Sequence, residues 1–230
     1  MFSKNCAVLK YNSEIGRLFH NERVNMLEVR DVTRAYGRNK VLKGISFIAK
    51  PGEQIAIIGR NGSGKSTFLR ILSGIDKPAG GNVLFWGHEA IRDKSVFRRF
   101  TGYLPQDNPL LDELSVQDNI SLWSGIGGRP SENLIREFSL DDILKKKVTQ
   151  LSGGMKRRVA IACACVNNPP VLIMDEPTAS LDIYYKKEIR AWMKSFRQGN
   201  GIIVVATHDE LEMNDSTRVF RMEQGILTER

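Results

Sequence analysis

Short, largely apolar runs with helical stretches between them are the dominant pattern along this chain. The runs Gln54–Ile58, Val171–Met174 and Ile202–Ala206 are rich in β-branched residues and lack polar alternation, which is typical of parallel strands buried on both faces. After the first run, residues Ser66–Ser73 predict a helix that Gly74 can end. This alternation of strand and helix indicates an α/β fold.

Further elements are predicted around this core. Met26 opens a strand that enters a turn at Gly37, and both Val41–Ile48 and Val83–Trp86 are predicted strands. Residues 107–166 differ in character, because they carry leucines at helical spacing, Asn and Ser starts and glycine breaks. The sequence therefore predicts a mainly helical lobe inserted into the α/β domain.

Length and composition suit one domain that does not cross a membrane by itself. The 230 residues carry 34 Lys and Arg against 26 Asp and Glu, a net charge of +8, and the longest apolar run is Val159–Val166. That run is far shorter than the roughly 20 residues that span a bilayer. The odd number of cysteines and the absence of an apolar signal core near the start favour a cytosolic protein. Residues 1–25 show no clean period and form an extension of unassigned role, followed by one domain over 26–230.

A glycine-rich segment between a predicted strand and a predicted helix has the spacing of a phosphate-binding loop. Its residues are Gly59, Arg60, Asn61, Gly62, Ser63, Gly64, Lys65, Ser66 and Thr67. Glycines permit backbone conformations in which N–H groups face an anion, and the following helix adds its positive N-terminal end. Lys65 supplies a mobile positive charge for β- and γ-phosphates, while Ser66 offers a hydroxyl to Mg²⁺, with Thr67 nearby. The segment predicts a P-loop nucleotide site.

Two acidic residues follow a buried strand later in the chain. Asp175 and Glu176 come directly after the apolar run Val171–Met174, at the strand end where α/β sheets place their ligands. Asp175 is predicted to hold Mg²⁺ through water, and Glu176 to polarise the water that attacks the γ-phosphate. Together with the phosphate loop, this pair predicts a P-loop NTPase core.

Other segments indicate which group of P-loop NTPases this chain resembles. The sequence Leu151-Ser152-Gly153-Gly154-Met155 resembles the signature of the ABC (ATP-binding cassette) ATPases, and the resemblance extends from about Leu27 to about Leu227. It is carried further by residues that match the motifs of that family in order: Tyr36, Gln106 within Tyr103-Leu-Pro-Gln106, Asp182 within Ser180-Leu-Asp182, and His208 within Thr207-His208-Asp209.

The resemblance implies a fold and a set of site roles. It implies a P-loop NTPase core with a mainly parallel sheet, an antiparallel N-terminal β subdomain and an inserted helical subdomain. Tyr36 would stack on adenine, Gln106 would reach Mg²⁺ or the attacking water and link the two lobes, and His208 would contact the γ-phosphate. Ser152, Gly153 and Gly154 would contact nucleotide across a subunit boundary, and Asp182, in the loop after the second acidic motif, is a further implied nucleotide contact. ATP and Mg²⁺ are the implied cofactors.

The resemblance also implies an assembly. Two copies of this chain, or this chain and a related ATPase subunit, would form a head-to-tail dimer that closes on ATP and opens after hydrolysis. Separate membrane-spanning permease subunits would form the pore, which would place the chain at the cytoplasmic face of the cell membrane. Residues 103–119 look most like subunits of small ABC-2-type exporters. Nucleic acid is not an expected partner.

The sequence leaves one alternative to a transporter subunit open. An ABC ATPase without a permease, active in assembly or nucleic-acid processes, would carry the same nucleotide motifs, and a basic chain permits nucleic-acid contact. The chain lacks the long coiled-coil insertion of the repair relatives and the tandem cassette of the translation-factor group. The transported substrate and the direction of transport are not encoded here, because selectivity would belong to the permease.

Overall fold

The computed structural model describes residues 27–125 and 130–230, so the predicted extension at 1–25 lies outside the described residues. The strands are β1 Leu27–Tyr36, β2 Asn39–Ala49, β3 Gln54–Ile58, β4 Gly80–Phe85, β5 His88–Glu89, β6 Thr101–Leu104, β7 Val171–Asp175, β8 Ile202–Ala206, β9 Arg218–Glu223 and β10 Ile226–Glu229. The helices are α1 Lys65–Leu72, α2 Ser95–Phe100, α3 Val116–Ser124, α4 Glu132–Glu137, α5 Gly153–Cys165, α6 Ile183–Gln198 and α7 Glu210–Asp215, with short 3-10 turns at Asp141–Ile143 and Val148–Gln150.

The strands form two sheets. The larger has six strands in the order β10-β9-β3-β8-β7-β6, in which every pair is parallel except β9 with β10. The smaller has four antiparallel strands in the order β2-β1-β4-β5. The two sheets meet where the Lys43 N–H donates to the Gly225 carbonyl oxygen at 2.9 Å. This arrangement confirms the predicted α/β fold with an antiparallel N-terminal part.

The large sheet is covered on both faces, as its continuous apolar strands require. Along β7, Leu172 and Met174 belong to a core shared with α3, α4, α5 and α6. Val171 and Ile173 belong to a second core, shared with α1 and the small sheet. Because side chains of a strand alternate between faces, four successive residues of β7 serve both cores at once.

Two predicted elements have the observed bounds, and the others differ by one or more residues. The predictions for β3 and β8 match their observed bounds, and the first helix begins one residue early, at Lys65. The prediction of a strand over Val83–Trp86 is wrong at both ends: β4 spans Gly80–Phe85, and Trp86 lies in a turn with a φ of 49°. Pairing of β4 with β1 extends the strand towards its glycines, which have no strand propensity of their own.

None of the helices in residues 27–125 and 130–230 combines the length and the apolar character needed to span a membrane.

Because β6 packs closely against α5, a larger residue in place of Gly102 is predicted to destabilise the protein. A Cβ atom on Gly102 of β6 would overlap the Ala164 carbonyl oxygen and come within 2.8 Å of Pro169 Cγ. We expect Gly102→Ala to lower the free energy of unfolding by about 1–3 kcal/mol, because the added methyl group can be accommodated only if the backbone around it shifts. Chemical denaturation of the two proteins measures this difference.

The matched control is Gly153→Ala at the first position of α5. A Cβ atom there meets nothing within 4 Å, and Gly153 has no positive φ. Since alanine favours helix over glycine by up to about 1 kcal/mol, this variant should be neutral or more stable. Equal destabilisation by both substitutions would contradict the packing argument.

Candidate nucleotide site

The glycine-rich loop connects β3 to α1 and has a backbone that only glycine adopts easily. Gly59, Gly62 and Gly64 have φ values of 153°, 77° and 109°. At Gly59 a Cβ atom would also overlap the carbonyl oxygen of Met222, so the loop is pressed against β9. The half-buried Ser63 has an Oγ atom that finds no hydrogen-bond partner among the described residues. An unsatisfied hydroxyl inside a loop of this shape fits a phosphate ligand.

Lys65 folds back over its own loop. Its Nζ atom donates to the carbonyl oxygens of Gly59 at 2.7 Å and Arg60 at 3.3 Å, and the residue is 7% exposed. Burial lowers the pKa of Lys65, while the negative charges of Glu176 and Asp175 act in the opposite direction. The charges of the two predicted acids therefore act on the predicted phosphate-binding ammonium.

Asp175 is the last residue of β7 and is 3% exposed. Burial raises the pKa of its carboxyl group, and a hydrogen bond from the Ser66 side chain and the charges of Lys65 and Arg157 offset part of that rise. A carboxylate beside a hydroxyl is a hard oxygen donor set of the kind that Mg²⁺ uses together with substrate phosphates. The two residues predicted as metal ligands on α1 and β7 thus fit the ion.

Glu176 and His208 meet at the ends of neighbouring strands. The Glu176 Oε1 atom lies 3.4 Å from His208 Nε2, and the side chains are 20% and 47% exposed. Glu176 has a φ of 47°, and its N–H donates to the Ala206 carbonyl oxygen at 2.9 Å. The predicted general base and the predicted γ-phosphate contact are therefore adjacent, each after a buried strand.

Gln106 is exposed and follows β6, two residues after its end. Its carbonyl oxygen accepts a hydrogen bond of 3.3 Å from Nη1 of Arg157, which belongs to α5. Sequence reasoning missed Arg157, because it stands in the run Lys156-Arg157-Arg158, which has the composition of a solvated helix face. The structure buries it to 9% exposure beside the site.

Tyr36 ends β1 and is 45% exposed. The Arg34 guanidinium lies 4.6 Å from the centre of its ring, and its hydroxyl donates to Asp76 Oδ2 at 3.2 Å. These contacts hold a partly open aromatic ring in one orientation, which suits stacking; the adenine contact itself stays a prediction.

The signature residues lie at the start of α5, where Gly153 lines a surface pocket together with Gln106. Ser152 is exposed and caps the helix, since its Oγ accepts from the Met155 N–H at 3.3 Å. Gly153 is exposed, whereas Gly154 is buried, and a Cβ atom there would overlap the ring of Tyr185. Asp182 caps α6 through a 3.0 Å bond from the Tyr185 N–H.

The remaining predicted nucleotide contacts lie in and just after the loop: Arg60 and Asn61 are exposed at its tip, and Thr67 is half-buried in α1.

Known proteins are similar to this chain in sequence and fold. The family profile described as "ABC transporter" matches residues 42–179. The lipoprotein-releasing system ATP-binding protein LolD of Porphyromonas gingivalis is 32% identical over 88% of this chain and 98% of its own length. The cell division ATP-binding protein FtsE of Escherichia coli is 35% identical over 88% of this chain and 97% of its own length.

Two further proteins are similar to this chain. The spermidine/putrescine import ATP-binding protein PotA of Mycoplasma capricolum subsp. capricolum is 38% identical over 88% of this chain, and the match spans 60% of that relative's length. A solved structure, the dimeric post-hydrolysis state of the ATP-binding cassette MJ0796 bound to ADP and Pi, aligns with a TM-score of 0.78 at 30% identity over 89% of this chain and 98% of that one. The chain belongs to the ABC transporter ATP-binding family, which confirms the resemblance inferred from its motifs.

The buried carboxyl group of Asp175 predicts that removing its negative charge stabilises the nucleotide-free protein. A carboxyl group whose pKa is raised in the folded state costs stability when it ionises, and the cost is absent below its unfolded pKa of about 4. We expect Asp175→Asn to raise the melting temperature of the nucleotide-free protein at pH 7. The gain should shrink as the pH falls towards about 4.

Asp107→Asn is the control, because Asp107 is exposed and follows Gln106 directly. It should leave the melting temperature unchanged at both pH values. Thermal unfolding followed by circular dichroism measures both variants, and a gain for Asp175→Asn that is equal at pH 7 and pH 4 would contradict burial as its cause.

Proposed function

We propose that this chain binds and hydrolyses MgATP and thereby powers transport through separate membrane-spanning permease subunits. The proposal rests chiefly on one observation: the ammonium of Lys65 interacts electrostatically with the carboxylates of Asp175 and Glu176, and His208 Nε2 lies 3.4 Å from Glu176 Oε1. A loop shaped for phosphate, a site for a divalent cation and a base beside a histidine form the set that nucleoside triphosphate hydrolysis requires.

Binding rests on the phosphate loop. Its positive-φ glycines allow N–H groups to face an anion, and α1, which begins at Lys65, would add its positive N-terminal end. The Lys65 ammonium, which is bonded to two carbonyl oxygens of the loop, can exchange these for phosphate oxygens. Tyr36 offers a ring face for adenine.

Magnesium, held by Ser66 and Asp175 with Gln106 nearby, would neutralise charge on the β- and γ-phosphates. Glu176 accepts a proton from the attacking water, since its carboxylate is 20% exposed and thus open to water, while its backbone is fixed. His208, whose Nε2 lies 3.4 Å from Glu176 Oε1, would contact the γ-phosphate.

Dimerisation follows from the exposed signature. Ser152 and Gly153 are exposed at the start of a helix, and an N-terminus of this kind binds anions. The MJ0796 cassette, similar over 89% of this chain, is a dimer in its ADP and Pi state. We infer that the signature of one subunit closes over nucleotide on the phosphate loop of another, which is this chain or a related one, and that Asp182 approaches the same boundary.

A groove between the two lobes suits a permease. It has a volume of about 320 Å³ and is lined by apolar and basic side chains, among them Ile75, Phe97, Tyr103, Trp123 and Arg98. An amphipathic segment of a membrane subunit would fit such a groove. Relatives named for polyamine import, lipoprotein release and cell division support a role at the cytoplasmic face of the membrane, where a net charge of +8 is favourable beside anionic lipid.

The general-base assignment predicts a trapped state. Glu176→Gln should keep ATP binding and lower kcat by about 10²–10⁴-fold, because the amide cannot accept the proton. The variant should accumulate as an ATP-bound dimer, which size-exclusion chromatography with MgATP detects.

Lys65→Ala is the contrasting variant and should lose ATP binding itself, measured with a fluorescent ATP analogue. If Glu176→Gln turns over ATP near the parent rate, another group is the base. If neither the parent nor any variant binds ATP, the proposed function is wrong.

The transport role predicts a membrane partner. An affinity-tagged chain, expressed in its native cell and extracted with mild detergent, should retain one polytopic membrane protein in stoichiometric amount. We expect that protein to be encoded beside this chain. The absence of such a protein from both the gene neighbourhood and the purified complex would favour an ABC ATPase without a permease.

A further inference from the structure

A buried guanidinium holds the main chain that carries Glu176. Arg157 reaches from α5 to the end of β7, where Nη2 donates to the carbonyl oxygens of Asp175 at 2.9 Å and Glu176 at 2.8 Å. Its Nε donates to the next carbonyl oxygen, that of Pro177, at 2.9 Å. Three successive peptide carbonyls therefore converge on one side chain.

The same guanidinium also holds the loop after β6. Nη1 of Arg157 donates to the Pro105 carbonyl oxygen at 2.8 Å and to that of Gln106 at 3.3 Å. The segment of Gln106, the predicted magnesium contact, and the segment of Glu176, the predicted base, are thus both hydrogen-bonded to the planar guanidinium of Arg157.

All the hydrogen-bonding capacity of Arg157 is used in this way. A guanidinium has five N–H donors in a fixed fork, and its five bonds go to main-chain oxygens. Burial lowers the pKa of Arg157 to about 10, so the group stays protonated at neutral pH, and the charges of Asp175, Glu212 and Glu176 favour the cation. A lysine has three donors and no planar fork, and cannot make all five of these contacts.

Helix α5 is held by its own packing, and through Arg157 it positions the segments that follow β6 and β7. Val159, Ala160 and Ile161 of α5 are at most 1% exposed, so apolar packing holds the helix without the guanidinium. Glu176 has the opposite character. Its φ of 47° is strained for a residue with a side chain, at a cost of about 1–3 kcal/mol, and its peptide groups are held by Ala206 on one side and Arg157 on the other.

We propose that Arg157 is a positioning residue that sets the direction of the Glu176 carboxylate and of the Gln106 loop towards bound nucleotide. The inference rests on the proposed ATPase function. Because none of the five hydrogen bonds of Arg157 to the described residues goes to the phosphate loop or to Tyr36, it acts on turnover and leaves ATP binding to the phosphate loop unchanged.

The test compares Arg157→Gln with Arg157→Lys, using purified protein and steady-state ATP hydrolysis. We expect Arg157→Gln to lower kcat by about tenfold or more with KM changed by less than about threefold. Arg157→Lys, which keeps the charge and part of the bonding, should fall between it and the parent. Arg136→Gln is the matched control, since the Arg136 guanidinium is 66% exposed and pairs with Glu132 on a surface helix turn; its kcat should equal that of the parent.

A second readout separates positioning from general support of the fold. In a Glu176→Gln background the base is already absent, so adding Arg157→Gln should leave the ATP concentration for half-maximal dimer formation within about threefold. Loss of ATP-dependent dimers there would mean that Arg157 holds the signature helix, which would overturn the proposal.

Other outcomes are equally decisive. The proposal would be overturned if Arg157→Gln kept the kcat of the parent. It would also be overturned if both variants showed a lower kcat together with a changed KM and a lower melting temperature. If Arg157→Gln does not fold, Arg157→Lys decides, and parent kcat in that variant would overturn the proposal. A parent protein that hydrolyses no ATP would instead refute the proposed function.

Discussion

Parallel strand pairing is the constraint on which the site depends. Because β3, β8, β7 and β6 pair in parallel, the segments that follow Ile58, Ala206, Asp175 and Leu104 leave the sheet at the same edge. Residues separated by more than 100 positions therefore become neighbours. The phosphate loop, the acid pair, the histidine and the glutamine loop are adjacent for this one reason, and apolar packing on both faces of the sheet keeps that edge rigid.

Buried charge at this edge gives the site its electrostatic character. Lys65, Asp175, Arg157 and Glu212 are each 9% exposed or less, and each is compensated by main-chain oxygens, hydroxyls or an opposite charge. Glu212 illustrates this on α7: burial raises the pKa of its carboxyl group, and the Thr178 hydroxyl donates to it at 2.7 Å. Since an uncompensated buried charge is costly, these contacts hold the loops in place.

The local motifs could be predicted from the sequence, and the connections between them could not. The loop of Gly59 and Lys65 was recognisable because its chemistry depends on neighbours in the chain, and β8 was predicted with its observed ends because its five residues are uniformly apolar. The strand β6 was missed because Thr101–Leu104 is short and contains glycine, so it forms through its pairing with β7. The roles of the individual site residues remain predictions that the variants above would test.

By itself, the sequence determined the alternation of strands and helices, the phosphate-binding loop and the family, because each depends on residue types at short fixed spacings. Tertiary structure alone decided that Arg157, one of three successive basic residues, is buried against five carbonyl oxygens, and that Glu176 is held at positive φ beside His208. The physical reason is that burial and hydrogen bonding of a side chain depend on which distant segments the sheet brings together, and no local pattern records that.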